Sequence, residues 1–332
     1  MTLLVLGGTG FLSSVLARTA LENGIEVVCA ARGISGMPPE GTRFIRWDRE
    51  DPMPEELATI SPDVVVDVSS KPGHVREAVG AFPDSRWIYL SSISAYADFS
   101  TLGGSPANTP LLKPAGNPDE VVMENYGACK VACENAVAEI SNRVIIRPGL
   151  ISGPGDQSNR FTHWPTRLAQ ASADRKPYLA PTPPTDLVQW VDVRDLAEWI
   201  IDLAQNSVTG TFDAVGQAAE RGEFLVAVTQ LFDPAPEPLW VGPEDLAENE
   251  IRPWAGPRSL PMWIPDQSMV GMMARDHEPA AEAGLKTRSL RETAKDTLDW
   301  YLNHGTPLGL SREDELVVVE NVFAARELAS HR

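Results

Sequence analysis

The sequence predicts an α/β fold, a doubly wound parallel sheet with a smaller, discontinuous C-terminal lobe. Three observations predict it. Apolar runs of strand length alternate with helix-like stretches over the N-terminal half, and right-handed crossovers between such runs leave a parallel sheet covered on both faces. The first run ends in Gly7-Gly-Thr-Gly-Phe11, a turn that opens into a helix-like stretch. Beyond residue 150 the composition changes, with Gly149, Gly153, Pro154 and Gly155 in one loop and prolines at 177, 181, 183 and 184.

Each element follows in order. Thr2–Leu6 is a short apolar run ending in glycines, which suits a buried parallel strand. A helix is predicted over 11–23, and Gly24 then precedes Ile25–Ala31, a second strand stopping at Arg32-Gly33. Further strands are predicted at Arg43–Trp47, Asp63–Val68, Arg86–Ser91 and Arg143–Arg147. The periodic stretch Val193–Ala204 is core-like, so the chain is expected to return to the first domain before leaving again. The domains are therefore expected at 1–155 plus about 186–215, and at 156–185 plus about 216–332. Residues 234–280 are rich in Pro, Trp and Met without a clean period; such side chains line apolar clefts but are more often core.

The chain has 332 residues and a formal net charge of −18, which repels a phosphate backbone and excludes nucleic acid as an expected partner. No apolar run approaches the length of a membrane span, and the start lacks a basic leader, so no membrane and a cytoplasmic location are expected. Cys29, Cys129 and Cys133 form no metal-ligand pattern and are expected to be buried free thiols. The partner expected is a small-molecule substrate, with the protein a monomer or homodimer.

A glycine turn between a strand and a helix suits a phosphate at the helix N-terminus. Gly7 permits the tight turn, Gly10 permits close approach of a dinucleotide, and Ser13 stands where a third glycine is usual. Arg32, ending the second strand, suits a 2′-phosphate, so NADP is expected ahead of NAD; Asp48 is placed to meet the adenine. Tyr126 and Lys130 lie four apart, on one face of a helix, where an ammonium lowers a phenol pKa and the phenolate exchanges a proton with a carbinol oxygen. Ser92 is the hydroxyl candidate at the same oxygen, with Ser91 and Ser94 as local rivals.

In the order of these pieces, and in Arg147–Pro154, Gln189–Asp195 and Ala283–Leu285 through Trp300, the sequence resembles the short-chain dehydrogenase/reductase superfamily, in its extended branch, the NAD-dependent epimerase/dehydratase family. The resemblance implies a Rossmann domain with a small substrate lobe, and Ser92, Tyr126 and Lys130 as catalytic residues. It implies a cofactor held by Gly7, Thr9, Gly10, Phe11, Leu12, Arg32, Asp48, Ser69, Ser70, Lys130 and Pro148. Departures narrow the activity. Leu150 stands where nucleotide-sugar enzymes of the family commonly carry a diphosphate-binding Asn, and Ile93-Ser94 stand where its dehydratases carry an Asp-Glu pair. The reading is an NAD(P)-dependent oxidoreductase, with a sugar epimerase as alternative and a non-catalytic sensor third.

Other residues are candidates of lower rank. His163 and Trp164 are expected in a loop reaching the substrate, with a plain surface His the commoner case; Arg160, Arg167 and Arg288 are anion-binding candidates or surface charges. Lys71 is a second-rank candidate near the nicotinamide, and Asp192 and Asp195 are expected to cap the following helix.

Overall fold

The computed structural model describes residues 1–118, 120–305 and 309–331. The chain divides into two compact units: Met1–Gly149 with Val193–Gly216 and Arg275–Thr287, and Leu150–Asp192 with Gln217–Ala274 and Arg288–Arg332.

The first unit is built on seven parallel strands: β1 (Thr2–Leu6), β2 (Glu26–Ala31), β3 (Arg43–Arg46), β4 (Val64–Asp67), β5 (Arg86–Leu90), β6 (Arg143–Pro148) and β7 (Gly210–Ala214), in the order β7-β6-β5-β4-β1-β2-β3. This is a Rossmann-like doubly wound sheet, whose order reverses between β1 and β4. The register pairs Leu3 with Val27 and with Val64, so apolar residues lie side by side across the centre. Leu3 and Val5 are as fully buried as Leu4 and Leu6, which means that both faces are covered and explains the continuous rather than alternating apolar pattern.

Helices of nine or more residues are α1 (Phe11–Glu22), α2 (Pro72–Ala81), α3 (Met123–Val137), α4 (His163–Asp174), α5 (Val193–Gln205), α6 (Arg221–Thr229), α7 (Leu290–His304) and α8 (Arg312–Ser330). Val75 and Ala78 of α2 with Cys133, Ala136 and Val137 of α3 pack on Leu4, Leu6, Val28, Val65 and Tyr89, while α1 packs with α5. Pro72 starts α2, where its missing N–H costs nothing. Ser289 and Glu292 form a capping box at α7, and Ser311 caps α8 ahead of Glu313, Asp314 and Glu315.

The second unit has its own core, including Phe161, Trp164, Leu168, Tyr178, Phe224 and Trp263, with Phe161 and Phe224 in edge contact at 5.7 Å. Met262, Trp263 and Met273 are buried and Trp240 and Trp254 pack beside them, so much of the unperiodic 234–280 segment is core.

The unit boundaries differ from the sequence expectation in three places. Residues 150–155 group with the second unit because Ile151-Ser152 pairs with Val191-Asp192, and that pairing carries 186–192 with it. Residues 275–287 return to the first unit, where Ala283 accepts a hydrogen bond from the Trp199 indole of α5 at 3.0 Å. Strand β7 escapes the sequence pattern, since Gly210-Thr-Phe-Asp-Ala lacks the apolar run that marks the others.

Candidate functional site

A cleft of about 620 Å3 opens at the point where the strand order reverses, lined by Gly7, Thr9, Gly10, Ala31, Arg32, Asp48, Ser69, Ser70 and Lys71 among others. Its floor is the glycine turn. Gly7 has φ +91° and an added Cβ would stand 2.7 Å from Val68 Cγ2, so only glycine fits. Gly8, to which the sequence pattern assigns no role, is equally constrained: a Cβ there would meet Cys29 Sγ at 2.7 Å, whereas at Gly10 the nearest neighbour is Ser13 Oγ at 3.7 Å. Gly10 is the N-cap of α1 and offers no side-chain cap, and the first turn holds no acidic residue. The leading N–H groups of α1 are thus left for an outside acceptor, the condition a dinucleotide phosphate satisfies.

At the rim, Arg32 is exposed, and Asp48 accepts the Glu50 N–H at 3.2 Å. Phe11 and Leu12 begin α1 and Pro148 ends β6, all outside the cleft lining. Lys71 forms an ion pair with Glu50, which also shares a hydrogen bond with His74 Nε2 at 3.0 Å, and the Lys71 ammonium holds the Glu50 carboxyl below its ordinary range. Beneath the cleft, Arg49 Nη1 lies 2.9 Å from both oxygens of Asp67, which also accepts the Ser69 N–H at 2.8 Å and so shapes the turn after β4. Neither Arg49 nor Asp67 stands out in the sequence.

Lys130 is fully buried in α3. Its Nζ donates to three backbone carbonyls, Val68 at 3.1 Å, Ser69 at 3.0 Å and Leu90 at 2.6 Å. Burial lowers its pKa to about 8 against the opposing pull of Cys133, Asp67 and Glu134. Nζ lies 5.9 Å from the Tyr126 ring centroid, close enough for the cation to act on the phenol. Tyr126 is half-buried one turn earlier.

Ser92 caps a short turn at Ile93–Ala95, accepting the Ser94 N–H and donating to Ser94 Oγ, each at 3.1 Å. Its rival Ser91 is buried and donates to Glu134, whereas Ser92 and Ser94 are both half-buried, so burial sets aside Ser91 alone. Gly127 brings the two segments together. An added Cβ at Gly127 would stand 2.0 Å from Ser94 O, so α3 lies against the Ile93–Ala95 turn only because residue 127 has no side chain.

A buried polar network supports this corner. Arg147 pairs with Glu134 and donates to Tyr96 OH at 2.9 Å; Tyr96 donates to Asp213 Oδ1 at 2.6 Å, and Arg275 Nε donates to Asp213 Oδ2 at 2.8 Å. Arg275 also lies 3.9 Å over the Tyr96 ring. Of this set the sequence pattern marks only Arg147, within the run to Pro154, and Tyr96. Glu134, one turn after Lys130 on the same helix, was the available signal.

Several secondary expectations are corrected. His163 is not on a loop: it starts α4 and is 7% exposed, and burial, with Arg167, lowers its pKa well below the ordinary value. Arg167 is no surface charge but lies 2.9 Å from Glu315, and Arg288 lies 3.7 Å from Asp192. Asp192 ends a two-residue strand directly before α5, the position expected of a cap, and its carboxylate also accepts a hydrogen bond from Thr293 at 2.9 Å. All three cysteines are buried and free; burial pushes the Cys29 thiol up to about 12 and the Cys133 thiol up to about 11. Among the described residues no helix is long and apolar enough to cross a membrane, and no group of His, Cys, Asp or Glu could hold a metal ion.

Comparison with known proteins bears on the same elements. A family model described as NAD dependent epimerase/dehydratase family matches residues 3–81 and 74–214. The dTDP-6-deoxy-L-talose 4-dehydrogenase (NAD(P)(+)) of Kitasatospora kifunensis is 27% identical over 225 residues, 59% of this chain and 68% of that protein. Among solved structures, a putative epimerase from Burkholderia cenocepacia J2315 aligns with TM-score 0.67 at 18% identity, covering 90% of this chain and 97% of that one. The UDP-glucuronic acid 4-epimerase from Bacillus cereus, in complex with NAD, aligns with TM-score 0.61 at 17% identity, covering 92% and 100%. At such identities the two structures share the fold.

Proposed function

Because the chain belongs to the NAD-dependent epimerase/dehydratase family, we propose that it is an NAD(P)-dependent oxidoreductase of the short-chain dehydrogenase/reductase type, acting on a carbonyl or carbinol carbon with Tyr126 as acid and base. The observation that carries this reading is the packing of Gly127 on Ser94 O, which sets Tyr126 and Ser92 on adjoining segments beside the Lys130 ammonium. When bound, the nicotinamide supplies or accepts the hydride.

The chain's own residues have distinct tasks. The uncapped start of α1 binds phosphate, and the Arg32 guanidinium at the rim suits a 2′-phosphate, which favours NADP over NAD. Ser92 orients the substrate oxygen through its hydroxyl. Tyr126 gives or takes the proton at that oxygen, and Lys130 stabilises its phenolate. Lys130 itself is held by the three carbonyls, so its position does not depend on substrate.

Net redox turnover is preferred to epimerisation on a further observation. Leu150 is 4% exposed in the core of the second unit and has no group to donate to a diphosphate. The Kitasatospora relative is likewise named a dehydrogenase. The Asp-Glu positions of a dehydratase are Ile93, buried, and Ser94, whose hydroxyl accepts from Ser92.

The test is consumption of NADPH over a panel of carbonyl compounds, wild type against Tyr126→Phe. Loss of kcat by about 100-fold or more, with NADPH affinity unchanged, is expected for a general acid. A cofactor retained through turnover, with interconversion of epimers and no net NADPH consumption, would replace this reading with an epimerase.

A further inference from the structure

Two helix N-termini converge on a cavity of about 120 Å3 in the second unit: that of α4 through Thr162 and His163, and that of α8 through Ser311 and Arg312. Thr166 and Arg167 line it from α4, and Tyr301 from α7. The leading N–H groups of α4 are already bonded, His163 N–H to Asn159 O and Trp164 N–H to Phe161 O, and Ser311 with three acidic residues caps α8, so the side chains rather than the helix starts must hold an occupant.

The lining adds an independent fact. Thr162 Oγ1, His163 Nε2, Thr166 Oγ1 and Arg167 Nε are buried without a hydrogen-bond partner in the protein, and Thr162, Arg167 and His163 are 1%, 4% and 7% exposed. Buried polar side-chain atoms are mostly paired, so four orphans around one cavity call for an acceptor inside it. Each of the four can donate a hydrogen bond, His163 in its Nε2–H tautomer.

Charge and size narrow the occupant. Arg167 lies 2.9 Å from Glu315; Arg312 pairs with the same carboxylate and, at 2.9 Å, with Asp174. Neither carboxylate lines the cavity, and together they balance the two guanidiniums. The remaining attraction comes from the unpaired side-chain donors, which suits one compact acceptor group rather than a polyphosphate. The volume equals the share of about four waters, room for one such group.

We propose that this cavity binds one oxyanion group, a phosphate, sulfate or carboxylate, held by Thr162, His163, Thr166 and Arg167 between the N-termini of α4 and α8. The group is either a free ion or the acidic head of a molecule whose body fills the adjoining cavity of about 440 Å3, which shares Asn159 and His163 and contains Trp254. The site is independent of the redox reading, since it lies in the second unit and is measured without nicotinamide.

Isothermal titration with phosphate, sulfate and acetate, then phenyl phosphate and benzoate, in chloride buffer of fixed ionic strength, tests it. One-to-one binding of at least one is expected, weakened about fivefold by Thr166→Val, the worth of one hydrogen bond. Equal affinity for an inorganic ion and its phenyl derivative supports a free ion; tighter binding of the derivative supports an acidic head. Absence of saturable binding by all five, or binding that Thr166→Val and His163→Gln both leave intact, overturns the proposal. A wild-type crystal soaked in selenate decides the matter should the variants not fold: selenate in the cavity supports the site, and water alone refutes it.

Discussion

Glu134 and Arg147 meet through two hydrogen bonds, Nε to Oε1 at 2.9 Å and Nη2 to Oε2 at 2.6 Å, with side chains 5% and 6% exposed. The same carboxylate accepts from Ser91, beside the proposed catalytic Ser92. Glu134→Ala strands a buried guanidinium, and a loss of about 3–5 kcal/mol in unfolding free energy is expected by urea titration. Glu134→Gln keeps the shape and an acceptor and should lose less. A loss under about 1 kcal/mol in the alanine variant would show that Arg147 finds other compensation.

Gly127→Ala puts a methyl against the backbone oxygen of Ser94, which cannot rotate away. Helix α3 must then shift from the Ile93–Ala95 turn. We expect kcat to fall by about 100-fold while NADPH binding, proposed to rest on the α1 turn, changes by less than about threefold. Equal loss of both would mean that the whole cleft had moved.

Lys130 titrates in the folded protein at about 8, below its ordinary 10.5. The unfolded chain therefore holds the extra proton between these values, and stability rises with pH across that window. Below pH 8 the penalty on the folded state is fully present. Relative to Lys130→Met, wild-type unfolding free energy should gain about 3 kcal/mol from pH 8 to 10.5. A flat difference would be incompatible with a depressed lysine.

Arg32→Ala tests the coenzyme preference. Removing a guanidinium from a phosphate costs about 1.5–3 kcal/mol, so NADPH affinity should drop about 10- to 100-fold with NADH nearly unaffected. Equal losses for the two, read by fluorescence titration, would exclude contact with a 2′-phosphate.

The elements visible in the sequence are those with local signals. Apolar runs mark β1, β2 and β4 to β6 because parallel strands buried on both faces need no alternation, and the glycine turn marks the cleft because its geometry is set within a few residues. Arg275 and Asp213 are invisible for the opposite reason: they meet across 62 positions of chain. Likewise His163 in isolation has the look of a loop residue, and its burial follows from packing that no local pattern records.

The three carbonyls around Lys130 use all three protons its ammonium has to donate. A ribose hydroxyl that accepts from Nζ must displace Val68, Ser69 or Leu90, so the coenzyme capture proposed there would be an exchange of partners. The affinity of any acceptor at Nζ is correspondingly a difference between two sets of contacts.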